Sequence, residues 1–150
     1  GAEVCRVKCR VLIGADGVES LVVAWAGLDN RLGPSGLHSC GKSRSLVDLL
    51  AEGTDLDCIN PLEAPPMGDV DLREVKRARG SRMALMGNLH TTDVMLKGSP
   101  DGVYRASVEA IEAAAEGGGF ILSTGDQCPR DTPEENLFAM LRAAEERGRY

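Results

Sequence analysis

A parallel α/β architecture is what this sequence predicts, and three observations carry it. From about residue 55 onward, short apolar runs alternate with stretches whose apolar residues recur at helical spacing. The joints between them are brief. Most of the helical stretches also have a recognisable start or stop signal. The resulting order of strand, helix, strand, helix, strand, helix is that of successive β/α units on a parallel sheet.

Each element has its own local reason. "DLDCIN" is a short buried-strand candidate closed by Pro61, and "DLREVKRARG" reads as a helix capped by Asp71 and stopped at Gly80. "RMALMGN" is an apolar run too short to be a helix with its own core face. Ser99 and Pro100 supply a cap and a first-turn proline for a long helix, along which Tyr104, Val108, Ile111 and Ala115 fall on one face. Three glycines at 117–119 end it, and "FILSTGD" follows as a strand. Thr132 with Glu135 spells a capping box for the last helix, whose expected buried stripe is Leu137, Met140, Leu141 and Ala144. Upstream, "SRSLVDLLAEG" has helical character, "EVCRVKCRVLI" and "SLVVAWAG" are strand candidates, and "LDNRLGPSG" reads as loop.

Composition narrows the function. The chain has 150 residues, 43% of them apolar and 27% charged, which suits one folded domain with a single core. Aromatics are only 3%, so Leu, Val, Ile, Ala and Met must build that core. A formal charge of −6 argues against nucleic-acid and anionic-membrane binding, which need a basic field. No apolar run approaches the roughly 20 residues that span a bilayer. Five cysteines at positions 5, 9, 40, 58 and 128, odd in number and widely spaced, lead to the expectation of a reducing, cytoplasmic setting.

In parallel α/β folds, ligands bind beyond the C-terminal ends of the strands. That rule gathers Asn60 and Glu63, then Asn88 and His90, then Asp126, Gln127 and Cys128. If residues 36–41 follow an earlier strand, His38 and Cys40 join the same rim. Zn²⁺ favours thiolate and imidazole, and His38, Cys40 and Cys128 together would leave one coordination position open, as a catalytic zinc requires. Plainer roles compete with these. Cys58 suits a small buried hydrophobe, Asn60 and Asn88 suit turn backbone, Glu63 suits solvent, and His90 suits an exposed helix start. The stretch "GLHSCGKS" also spells a phosphate-binding loop with Lys42 and Ser43, but the apolar strand such a loop needs in front of it is missing.

"LHSCGK", "INPLEAPPMGDVDL", "RMALMGNL" and "GGGFILSTGDQCPRDTPEENLFAML", in this order and spacing, resemble the C-terminal half of the uroporphyrinogen decarboxylase superfamily. The likeness covers residues 37–150; residues 1–36 form an irregular segment without a match. It implies the last four or so β/α units of a TIM barrel more than twice this length, catalytically incomplete as an isolated chain. A homodimer or a separately supplied N-terminal half would complete it. The His-x-Cys pair is similar to that of the zinc- and cobalamin-dependent methyltransferase branch. By that likeness His38 and Cys40 are zinc ligands, and the third ligand position falls on Asp126, with Cys128 two residues on; either completes the site. Asn60, Glu63 and Asn88 would orient the substrate, and Asp126 would otherwise partner His38. The activity implied is methyl transfer between a corrinoid, carried on a partner protein, and a small-molecule thiol. The alternatives are a metal-free decarboxylase acting on a tetrapyrrole or an inactive fragment of either enzyme.

Overall fold

A computed structural model describes residues 35–148. The expected strands at the N-terminal end, and Cys5 and Cys9, lie outside the described residues. Four strands form one parallel sheet in the order β1 (Gly36–His38), β2 (Cys58–Asn60), β3 (Ala84–Leu89), β4 (Phe120–Thr124). Helices α1 (Arg44–Gly53), α2 (Leu72–Arg79), α3 (Pro100–Ala114) and α4 (Glu134–Arg147) alternate with them. A short π-helical segment, Thr91–Leu96, lies between β3 and α3. The predicted α/β class and parallel sheet are observed.

Register sorts the strand residues into two faces. Leu37 pairs with Ile59, Ile59 with Leu85, and Leu85 with Phe120. Of these, Ile59, Leu85 and Phe120, with Leu122, build the core together with Val47, Val75, Val103 and Ala143. His38 pairs with Asn60, Met86 with Ile121, and Asn88 with Ser123 on the opposite face. His38, Asn60 and Asn88 thus share one face with Met86 and Ile121.

Several caps follow the sequence closely. Asp71 accepts from the Glu74 N–H at 3.0 Å, and Ser99 accepts from the Gly102 N–H at 3.2 Å, each relieving an unpaired first-turn donor. Between α1 and α2, Asp48 bridges Arg44 at 2.5 Å and Arg79 at 2.8 Å, and Arg79 also reaches Glu52 at 2.6 Å. Arg44, then Arg79, holds the Asp48 carboxyl below its usual range.

Other expectations are corrected. Thr132 makes no capping bond; its hydroxyl is buried without a partner, and α4 starts after Pro133. The fully buried residues of α3 are Val103, Ser107, Ala110, Ile111 and Ala114, while Tyr104 and Val108 are only partly covered. On α4 the buried stripe is Asn136, Ala139, Met140, Ala143 and Ala144, with Leu137 partly covered and Leu141 exposed. The reason is that α3 and α4 pack on each other through small residues, which let the backbones approach and turn larger side chains outward. Tyr104 lies on the flank instead, its ring 4.6 Å beneath the Arg142 guanidinium and its hydroxyl donating to Glu146 at 2.6 Å. Gly36–His38, expected as the tail of a loop, is a strand because pairing with β2 satisfies its backbone without an apolar run.

Gly87 is required by close approach. A Cβ there would lie 2.0 Å from the Pro61 carbonyl oxygen, and its φ of +154° is one that side chains rarely adopt. Gly87→Ala is expected to lower stability by about 3 kcal/mol, read from the urea midpoint. A midpoint equal to that of the parent chain would refute this contact.

Candidate metal centre

Three donor atoms converge beyond the strand ends: an imidazole nitrogen of His38, the sulfur of Cys40 and a carboxylate oxygen of Asp126, all within 4.8 Å of one another. Their positions follow from backbone pairing. His38 is the last residue of β1, and the Ser39 N–H donates to the Asn60 carbonyl at 2.8 Å, extending the β1–β2 ladder to the turn that carries Cys40. Asp126 follows β4, where the Gly125 N–H donates to the Leu89 carbonyl at 2.7 Å. The Thr124 hydroxyl donates to the Asp126 carbonyl at 2.5 Å, and the Gln127 N–H donates to the Asp126 carboxylate at 2.7 Å. The turn after β4 therefore fixes where that carboxylate points.

The mutual distances suit a metal. His38 Nε2 lies 3.0 Å from Cys40 Sγ and 3.7 Å from Asp126 Oδ1, and Cys40 Sγ donates to Asp126 Oδ2 at 3.4 Å. Zinc–ligand bonds of about 2.0–2.3 Å in a tetrahedral site put neighbouring ligand atoms roughly 3.4–3.6 Å apart. Imidazole, thiolate and carboxylate are also the ligand types Zn²⁺ takes. The His38 and Asp126 side chains are 52% and 46% exposed, so solvent or a substrate can reach the cluster. Desolvation raises the Cys40 thiol above its ordinary pKa, reinforced by the hydrogen bond to Asp126 and the charges of Asp126 and Glu63. A bound divalent cation reverses that balance and favours the thiolate.

Two neighbours support the cluster. Asn60 Oδ1 lies 2.8 Å from His38 Nδ1 and leaves the other ring nitrogen facing Cys40 and Asp126. Glu63 accepts from the Gly41 N–H at 2.5 Å, just past Cys40, where the chain turns with φ of +81°. That contact decides against the phosphate-loop spelling: a carboxylate already takes the N–H such a loop would offer to phosphate, and the Ser43 hydroxyl is buried.

The remaining expected residues sit as follows. Asn88 donates to the Leu62 carbonyl at 3.2 Å, tying β3 to the loop of Glu63. Cys128 is not in the cluster; it packs half-buried against the core, and burial raises its thiol pKa despite a hydrogen bond with Thr124. His90 caps Thr91–Leu96, its Nδ1 accepting from the N–H groups of Thr92 at 3.2 Å and Asp93 at 3.0 Å. Cys58 is mostly buried and its thiol is pushed up to about 11 by desolvation, which makes it inert.

Sequence reasoning missed Met86, whose sulfur accepts from Asn60 Nδ2 at 3.4 Å. Its only signal was its place in a strand, two residues before Asn88. Also missed was Asn136, fully buried, which donates to the carbonyls of Met95 and Gly98, both at 2.8 Å, and fastens α4 to the π-helical segment.

Comparison with known proteins gives this arrangement a context. The family model described as uroporphyrinogen decarboxylase (URO-D) matches residues 19–147. The chain belongs to the uroporphyrinogen decarboxylase family. The match begins inside the segment for which the sequence motifs offered no likeness. The chain is 29% identical over 113 residues to a methylated-thiol–coenzyme M methyltransferase of Methanosarcina mazei, covering 75% of this chain and 28% of that protein. It is 29% identical over 75 residues to a uroporphyrinogen decarboxylase of Coxiella burnetii, covering 50% of this chain and 20% of that one. A shorter likeness, 41% over 51 residues, is to digeranylgeranylglycerophospholipid reductase 1 of Methanococcoides burtonii, covering 34% of this chain and 11% of the reductase. A solved methyltransferase from Methanosarcina mazei superposes with a TM-score of 0.63 at 24% identity, over 83% of this chain and 34% of that structure. The four β/α units are part of a barrel, and the chain spans about a third or less of the length of these relatives. Among the described residues, no helix is long and apolar enough to cross a membrane.

The donor set predicts one zinc per chain. His38→Ala, Cys40→Ala and Asp126→Ala should each weaken zinc binding by about 100-fold or more, measured by titration against a competing chelator. Cys128→Ala should leave it unchanged. The reverse result for Asp126 and Cys128 would make Cys128 the third ligand.

Proposed function

We propose that this chain carries the zinc-binding part of a family methyltransferase that moves a methyl group between a corrinoid and a small-molecule thiol. The observation that supports it most is the meeting of His38, Cys40 and Asp126 at one exposed point beyond the strand ends. In this reading those three residues hold the metal, with Asp126 in the third position and Cys128 kept for packing. A zinc ion held by these residues would lower the pKa of a thiol in its open position and so make the acceptor sulfur nucleophilic near neutral pH.

The other residues act by holding this arrangement. Asn60 orients the His38 ring, and Glu63 fixes the turn carrying Cys40 by taking the Gly41 N–H. Asn88 secures the loop of Glu63 through the Leu62 carbonyl. The methyl donor would sit on a separate corrinoid protein and approach from the exposed side. The M. mazei relative, named for methylated thiols and coenzyme M, points to coenzyme M as the first acceptor to try. A decarboxylase acting on a polycarboxylate tetrapyrrole has less support, because two acids, Asp126 and Glu63, lie near Cys40 and repel such a substrate.

Cobalt(II) in place of zinc makes thiol binding visible. Adding coenzyme M to the cobalt-loaded chain should strengthen the sulfur-to-cobalt charge-transfer absorption beyond what Cys40 alone gives. A cobalt spectrum indifferent to the thiol would overturn the proposal.

A further inference from the structure

We propose that Met86 is a positioning residue for the metal centre: through Asn60 it selects the His38 tautomer that leaves Nε2 free to bind a cation. This rests on the zinc reading above and deepens it. The strand register aligns the three residues. His38 pairs with Asn60 across β1 and β2, and Ile59 pairs with Leu85 across β2 and β3, so Asn60 and Met86 stand level on the same face. Asn60 Nδ2 donates to Met86 Sδ at 3.4 Å, and Asn60 Oδ1 lies 2.8 Å from His38 Nδ1.

The chemistry of each end fixes the direction. An amide NH₂ can only donate and an amide oxygen can only accept, while a thioether sulfur has no proton and can only accept. Met86 therefore takes the NH₂ end of Asn60, and the amide oxygen is left facing His38. A neutral imidazole has one N–H, and this oxygen draws it to Nδ1. Nε2 then presents its lone pair toward Cys40 at 3.0 Å and Asp126 at 3.7 Å. The reversed amide would set oxygen against sulfur lone pairs and require Nδ1 to accept. The proton would then move to Nε2, where it blocks the metal. Met86 is absent from the hydrophobic cluster under the helices, so its place on that face is not explained by core packing.

The test needs no activity. In metal-free protein at about pH 8, ¹⁵N spectra of the ring nitrogens report the tautomer directly. His90 supplies an internal reference, because its Nδ1 accepts two backbone N–H groups and its proton must sit on Nε2. The parent chain should show His38 protonated at Nδ1 and His90 at Nε2. Met86→Leu, which nearly conserves volume, should turn His38 into a tautomer mixture and weaken zinc binding about tenfold. Asn60→Leu should reach the same mixture by removing the acceptor. In the Asn60→Asp background both carboxylate oxygens accept, so His38 should keep Nδ1–H and Met86→Leu should change neither tautomer nor affinity. Unchanged tautomer and affinity in Met86→Leu would overturn the proposal. So would an equal loss in the Asn60→Asp background, since that would mark a packing effect. If the parent chain binds no zinc but Met86→Leu still shifts the tautomer, the zinc reading falls and the relay stands.

Discussion

The parallel pairing of β1 with β2, only three residues long, is the constraint on which the site depends. It places His38 level with Asn60 and carries the ladder one bond further, from the Ser39 N–H to the Asn60 carbonyl. Without it Cys40 would hang on an unanchored turn, and the imidazole would lose the group that orients it. The pairing owes little to β-propensity, since Gly36 and His38 are indifferent strand formers. It is held from outside the strand as well, by Asp57, whose carboxylate accepts from the Ser35 N–H at 2.8 Å.

Order then spreads sideways through the sheet. The register between β3 and β4 puts Asn88 beside Ser123 and ends both strands at the same height, and beyond the strand ends Asp126 meets Cys40. Two loops close the gap between those ends. Glu63 reaches the Gly41 N–H, Asn88 reaches the Leu62 carbonyl, and the Val70 N–H donates to the Glu63 carbonyl at 3.1 Å. Donors and acceptors left over by the strands are thus used to join the loops. The cluster is exposed, yet its backbone is well tied.

Much of this could be read from residues alone, and the limits are physical. Asp71 and Ser99 cap their helices as their identity suggests, because an N-cap is a local interaction between residues three apart. The expected faces of α3 and α4 hold at Ile111, Ala115, Met140 and Ala144 and fail at Tyr104, Val108, Leu137 and Leu141, because two helices in contact choose small residues for the seam, a preference that a hydrophobic stripe does not encode. Thr132 failed as a cap because Pro133 leads directly into the helix. His38, Cys40 and Asp126 were legible as donors by type and by position at strand ends. The preference for Cys128 came from thiol chemistry alone, whereas the backbone of the β4 turn points Asp126 at the cluster and leaves Cys128 against the core. Met86 could not have been found from its type. Its part depends on lying across a strand pair from Asn60, which only register reveals.

The outer flanks of the sheet follow the same logic. In a closed β/α barrel every helix has a neighbour on each side, but among the described helices α1 packs beside α2, and α4 beside α3 and the π-helical segment. The charged residues of α1 that meet α2, Arg44, Asp48 and Glu52, occupy one side of that helix. Helical spacing puts Leu46, Leu49 and Leu50 away from them, and Leu49 is 68% exposed. On α4, Tyr104 of α3 engages Arg142 and Glu146, while Phe138 and Leu141 are 64% and 42% exposed. Apolar side chains therefore stand where a further helix would pack at both ends of the row. By contrast, the three donors that could hold a metal, His38, Cys40 and Asp126, and the groups that orient them, Asn60 and Glu63, all come from within these four units.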